Sequence, residues 1–303
     1  MIILINKYLK KIVIILFFIS LFTNSYSKNY YTNQKIENSF ELSPKIIFNL
    51  PDGKWTLYDK WSWYYGNISI KTFALLKVSQ NKVSDIMIID ELNTGSQYIG
   101  YLSQWIEEIF FKDKYDGCYE RPEYYYLKVY KKGMSFNCLV VSHIDIQKEL
   151  YNPDDPHDLG PVKLRNWLSN NKNIDIADTF LIRQHYYYST RTNKVAYRLQ
   201  YTFDPLLKAG PETNHRDEKQ SEYHKSNINN YPNVKKYMEK WVQISCLEHN
   251  NFENTVGARK EHRFQCEANN ISFNSDKDDN LVDKILELKK LLDEGIITNE
   301  EFT

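Results

Sequence analysis

The sequence predicts an α+β fold: an antiparallel sheet built from hairpins, helices packed on it, and a short C-terminal helical hairpin. Three observations predict it. Runs rich in β-branched and aromatic residues come in pairs joined by short polar turns, and segments with apolar residues at helical spacing lie between those pairs. Hydrophobic residues make up 42% of the 303-residue chain and charged residues 26%, enough apolar side chains for a real core.

Taken in order, "IIFNLPDGKWTLYDKWSWYY" from Ile46 carries a Pro-Asp-Gly turn into a Trp/Tyr-rich strand. "SIKTFALLKVSQNKVSDIMIIDEL" reads as two strands joined around Asn81. "YIGYLSQWIEEIFF" puts Ile99, Leu102, Ile106 and Ile109 on one side of a helix. Two β-rich runs flanking Lys-Lys-Gly make a hairpin, and a second hairpin turns at Thr-Asn-Lys (192–194). "PVKLRNWLSNN" has Pro161 at a helix start, where its missing N–H costs nothing, and "PNVKKYMEKWVQISCLEHNNFEN" is a long amphipathic helix. Helices between hairpins imply an antiparallel sheet covered on at least one face. The expected organisation is a flexible polar leader over 28–45, one α+β domain over 46–266 with a mobile polar excursion over about 206–231, and a linker over 267–280.

The N-terminus reads as an export signal. Lys7, Lys10 and Lys11 precede an uninterrupted apolar run over 12–22, and Ser25 and Ser27 then give the small-x-small pattern of a cleavage site. The run is shorter than the roughly 20 apolar residues a bilayer span needs. Residues 1–27 are therefore expected to be a signal peptide cleaved after Ser27, with an uncleaved anchor reaching back to Ile2 as the alternative. Cleavage removes those three lysines and no acids from 39 basic and 39 acidic side chains, leaving a net charge of −3. The expected location is periplasmic or secreted, with no stable membrane span after cleavage. Near-neutral charge without a basic stripe argues against a nucleic-acid partner.

Export changes how the four cysteines read. Cys118, Cys138, Cys246 and Cys266 form an even set in an oxidising compartment, where disulfides are favoured. Pairing each cysteine with the one twenty positions away closes the shortest loops, although spacing leaves all three connectivities open. A zinc site needs clustered ligands such as CxxC, which the chain lacks. No metal and no cofactor is expected.

Candidate chemistry is sparse. His143 and Asp145 in "SHIDI" share a strand face and, with His157 in "NPDDPHD", offer a weak acid–base or metal set for a hydrolase; a strand end with turn-capping Asp residues explains the same letters. His249 and Glu253 in "HNNFE" share a helix face but lack the HExxH pattern, and read as an ordinary surface pair. In "EYYYLKVY", alternation places Tyr124, Tyr126 and Tyr130 together, either as an aromatic platform for a glycan or peptide or as a face beneath a helix. The chain has no GxSxG elbow, phosphate loop, dinucleotide fingerprint or EF-hand loop.

At the C-terminus, Leu281, Ile285, Leu288 and Leu292 recur at helical spacing. Gly295 fits the left-handed position past a helix end. Thr298 with Glu301 matches a capping box, over which Ile297 and Phe302 form a hydrophobic staple. The stretch "LELKKLLDEGIITNEEF" resembles the SHOCT module, the short C-terminal domain appended to many unrelated bacterial proteins. It departs from that pattern in its second helix, which stops at Thr303. The resemblance covers 281–303 alone and implies self-association or a protein partner through this hook. Together these readings give an exported, non-enzymatic cell-envelope protein that binds or interacts. A periplasmic hydrolase and a glycan- or peptide-binding domain are the alternatives.

Overall fold

The computed structural model describes residues 28–65, 68–93, 117–133, 135–153, 158–189, 195–214 and 218–264. The expected signal peptide, the helix expected around Ile99 to Ile109, His157, Cys266, and the expected linker and hook all lie outside the described residues.

The predicted α+β architecture is present: three helices pack on a large antiparallel sheet. Its strands are β1 (Lys35–Ile36), β4 (Trp55–Tyr65), β5 (Ile68–Ser79), β6 (Lys82–Asn93), β7 (Tyr126–Lys132), β8 (Ser135–Asp145), β9 (Asp175–Ile176), β10 (Thr179–Ser189) and β11 (Val195–Phe203). A separate hairpin joins β2 (Ser39–Ser43) and β3 (Ile46–Asn49). The helices are α1 (Ile146–Tyr151), α2 (Leu159–Asn170) and α3 (Pro232–Thr255). Spatial order is β1-β4-β5-β6-β11-β10-β8-β7, and β9 joins β6 in parallel. Among the described residues, no helix is long and apolar enough to cross a membrane.

Local chemistry sets the turns. Gln80 and Asn81 link β5 to β6 with φ of 52° and 58°, the left-handed pair a two-residue hairpin turn requires. Gly53 holds φ +116° in the Pro-Asp-Gly turn, and a Cβ there would meet Lys77 Cε at 2.7 Å. That lysine donates to Asp52 O across the same turn. In α2 the helix begins two residues before Pro161, because Asp158 caps it by accepting from Gly160 N at 2.8 Å.

Both sheet faces are covered, which is why Ser135 to His143 in β8 and Phe180 to Ser189 in β10 are buried without interruption. On the disulfide face, Cys138, Phe136, Tyr186, Tyr188, Leu92 and Ile70 cluster with Cys118 and Tyr124. Farther along that face Phe180, Leu76, Ile86 and Ala74 pack under Ile146 and Leu150 of α1 and Leu164 of α2. The opposite, long-helix face lies under α3: Trp241 packs edge-on against Phe203 at 4.6 Å, and Phe252 stacks on Phe48 of β3 at 6.3 Å.

Two sequence expectations change here. The leader expected over 28–45 is part of the fold: β1 pairs with β4, and Phe40 is fully buried between Tyr30 at 4.4 Å and Phe73 at 5.1 Å. Within 206–231, expected to be a mobile excursion, Ser221, Glu222, Tyr223, His224 and Ile228 are buried. That segment lacks periodicity because short turns and side-chain bonds hold it, such as Asn227 Nδ2 donating to Lys219 O at 2.9 Å and to Ser221 O at 3.0 Å. Phe40→Ala should cost about 3–5 kcal/mol in urea unfolding, as for a core phenylalanine. A flexible leader would give no change.

Candidate functional site

The densest buried polar chemistry lies where the C-terminal half of α3 meets the sheet. A spacing of four puts His249 and Glu253 on one helix face, and both are buried, at 0% and 1% exposure. The surface-pair expectation is thus corrected: this face of α3 points into the sheet. Helical spacing reports which residues share a face, not where that face looks.

Opposite them stand Asn137 of β8 and His185 of β10, also buried. Asn137 Nδ2 donates to Glu253 Oε1 and, at 3.1 Å, to His262 O. Its Oδ1 lies 2.9 Å from His249 Nε2, itself 3.6 Å from Glu253 Oε1. His249 Nδ1 faces His185 Nδ1 at 2.9 Å. The bonding pattern assigns the protons. Both neighbours of His249 Nε2 are acceptors, so that nitrogen carries a hydrogen. In neutral His249, Nδ1 is then a lone pair, and His185 Nδ1 donates to it. His185 Nε2 is left buried with no hydrogen-bond partner. Burial pushes both imidazoles below the ordinary histidine pKa; nearby His249 and Arg183 add to this at His185, while Glu253 opposes it at His249.

Around this pair, Ser135 Oγ bonds Ser189 Oγ at 3.0 Å and lies 3.4 Å from His262 Nε2. Farther along the helix, the Arg183 guanidinium is held between the rings of Tyr201 at 4.7 Å and Trp241 at 4.9 Å. Tyr201 also donates to the buried Asp85 carboxylate, which pairs with Lys208 Nζ at 3.2 Å. On the disulfide face Asp90 accepts from Thr72 Oγ1 at 2.6 Å and from Arg198 Nε at 2.5 Å, its neighbours on the flanking strands. These carboxylates are embedded by pairing, as buried charge requires.

The residues singled out in the sequence fare differently. His143 is buried; its Nε2 donates to Glu218 O at 3.0 Å, and its ring packs near Tyr223 and His224. Burial pulls its pKa down to about 4, partly offset by that carbonyl. Asp145 caps α1, accepting from Lys148 N at 2.9 Å. His157 lies outside the described residues. Among the described residues no group of three or more His, Cys, Asp or Glu side chains is arranged to hold a metal ion.

The tyrosine platform does not form as alternation suggested. The chain enters β7 only at Tyr126, and Tyr124 lies in the preceding turn, its N donating to Arg121 O at 3.2 Å. Tyr124 is buried beside the disulfide with its hydroxyl on Gly117 O at 2.9 Å. Tyr126 and Tyr130 instead share the long-helix face, where Tyr130 donates to Glu261 O at 2.8 Å. Cys118 and Cys138, two of the four candidate cysteines, are joined in a disulfide, a pairing that spacing leaves open. Sequence reasoning passed over Asn137, His185 and Arg183; their signal was polar residues at inward positions of otherwise apolar strands.

No family model, curated protein or solved structure matches the chain.

Asn137→Ala would take the hydrogen-bond acceptor from His249 Nε2 and the side-chain donor from Glu253 Oε1, which keeps Phe264 N at 3.3 Å, and should cost on the order of 2 kcal/mol in chemical denaturation. Asp145→Ala should cost only about 1 kcal/mol, the ordinary worth of an N-cap.

Proposed function

We propose that the protein is an exported cell-envelope protein, periplasmic or secreted, that works by binding rather than by catalysis, and that residues 281–303 serve as its oligomerisation or interaction module. The observation that carries the reading is the cysteine chemistry. Cys118 and Cys138 are joined at the end of the disulfide face, Cys246 is also disulfide-bonded, and no described cysteine is free. Such crosslinks persist outside the reducing cytosol. They suit a chain that opens with a basic region, an apolar run and small residues at a cleavage position.

Binding is favoured over hydrolysis by what the strongest polar side chains do. Asp145 is committed to a helix cap, the His143 N–H to a backbone carbonyl, and Glu253 and His249 to fastening α3. The helical spacing of Leu281, Ile285, Leu288 and Leu292 would gather an apolar face of the kind that seeks a partner surface.

Intact mass of the exported protein, with and without reductant, should report a chain beginning at Lys28 and a mass gain on reduction matching two disulfides. Deleting 281–303 should lower the oligomeric state seen by light scattering. Full-length cytosolic chain with free thiols would contradict export, and an unchanged oligomeric state would contradict the interaction module.

A further inference from the structure

We propose that the His185–His249 pair is an acid-sensitive latch, which holds α3 against β10 while both rings are neutral and releases it when the pair takes up a third proton. The inference rests on where that proton can go. The neutral pair carries one hydrogen on His249 Nε2, directed at Asn137 Oδ1, and one between the two Nδ1 atoms, 2.9 Å apart. Hydrogens on both Nδ1 atoms at once would face each other, so that position is full. A third proton must therefore reside on His185 Nε2, whichever ring carries the formal charge. That atom is buried and has no acceptor, and the ring is fully covered. Its cover is α3, whose His249 and Phe252 rings lie 5.1 Å and 5.4 Å from it.

The surrounding charges reinforce the geometry. On β10, Arg183 acts on His185 as a like charge. On β7, Lys128 does the same to His249. From α3, Glu253 favours a positive His249, but its Oε1 is already shared by Asn137 Nδ2 and, at 3.3 Å, Phe264 N. Glu248, also on α3, favours the charged form of Arg183. His262 engages Ser135 on β8, and β3 contributes the uncharged Phe48. A proton on His185 Nε2 thus finds no hydrogen-bond acceptor, and Glu253 offsets charge only on the other ring, so water can solvate that N–H only if α3 lifts.

The sign follows. The open form has histidines near their ordinary pKa of about 6.5, and the docked form holds them below it, so docking is fully favoured above that pH and weakens as pH falls through it. The opening constant should rise by up to about tenfold per pH unit for each histidine that charges.

Hydrogen exchange on the full exported chain tests this at pH 7.5 and 5.0, corrected for intrinsic exchange rate. The expected result is a loss of protection in Pro232–Thr255 at pH 5.0 at least tenfold greater than in β5 and β6. His185→Phe keeps an aromatic ring against Phe252 and removes the site of the third proton, and should bring the excess loss down by about tenfold or more. If that variant does not fold, His249→Gln serves instead, since it removes the partner ring and should likewise reduce the pH dependence. Equal loss in α3 and in β5–β6, no loss, or an unaltered excess in a folded variant would overturn the latch.

Discussion

The bond between His185 Nδ1 and His249 Nδ1 joins α3, the longest helix among the described residues, to β10 of the sheet, and the buried arrangement around it is built outward from that bond. His249 reaches Asn137 through its other nitrogen, and Asn137 reaches Glu253 and the His262 carbonyl. Each group in this chain uses a specific donor or acceptor, so α3 has a single acceptable rotation. Turning it by one residue, about 100°, would take His249 and Glu253 away from every partner. Apolar packing alone would tolerate such a turn better, because hydrophobic attraction is not directional. Through Phe252 on Phe48, that fixed rotation also locates the β2–β3 hairpin.

Both sheet faces meet the cost of burial with paired carboxylates and cation–ring contacts. On the disulfide face, aromatic packing gathers around a covalent crosslink, and Asp90 is neutralised by Arg198 on the adjacent strand. On the long-helix face, cations meet rings: Arg183 lies between Tyr201 and Trp241, while Lys128 stands 5.2 Å from the centre of Phe264. Burying charge is costly without such partners. The composition makes the solution accessible, since 24 tyrosines supply both ring faces and hydroxyl donors.

The elements were largely legible in the sequence, and the candidate site was not. Hairpins announced themselves because turn chemistry is local: Gln80-Asn81 and Gly133 each set their reversal within a few residues. The long helix was visible from its periodicity, and Pro232 marked its first position. What escaped depends on distant neighbours. His249 and Glu253 show the same spacing whether they face water or a sheet, and only Asn137, more than a hundred residues earlier, decides which. Tyr124 misled for a related reason: alternation assumes that the strand has already begun, and here it begins at Tyr126. The residues at 28–45 looked polar because β2 fully buries only every second side chain, Phe40 and Leu42, and sets Ser39, Glu41 and Ser43 between them.

The account stands on two neutral imidazoles sharing one hydrogen in the dry interior. Nitrogen-15 spectra of the histidine-labelled protein, recorded from pH 8 down to 5, address that directly by reporting tautomer and charge ring by ring. In the folded protein His185 should carry its hydrogen on Nδ1 and His249 on Nε2, neither ring titrating until α3 signals report opening. Either ring titrating near 6.5 with α3 still docked, or the reverse tautomers, would contradict the arrangement.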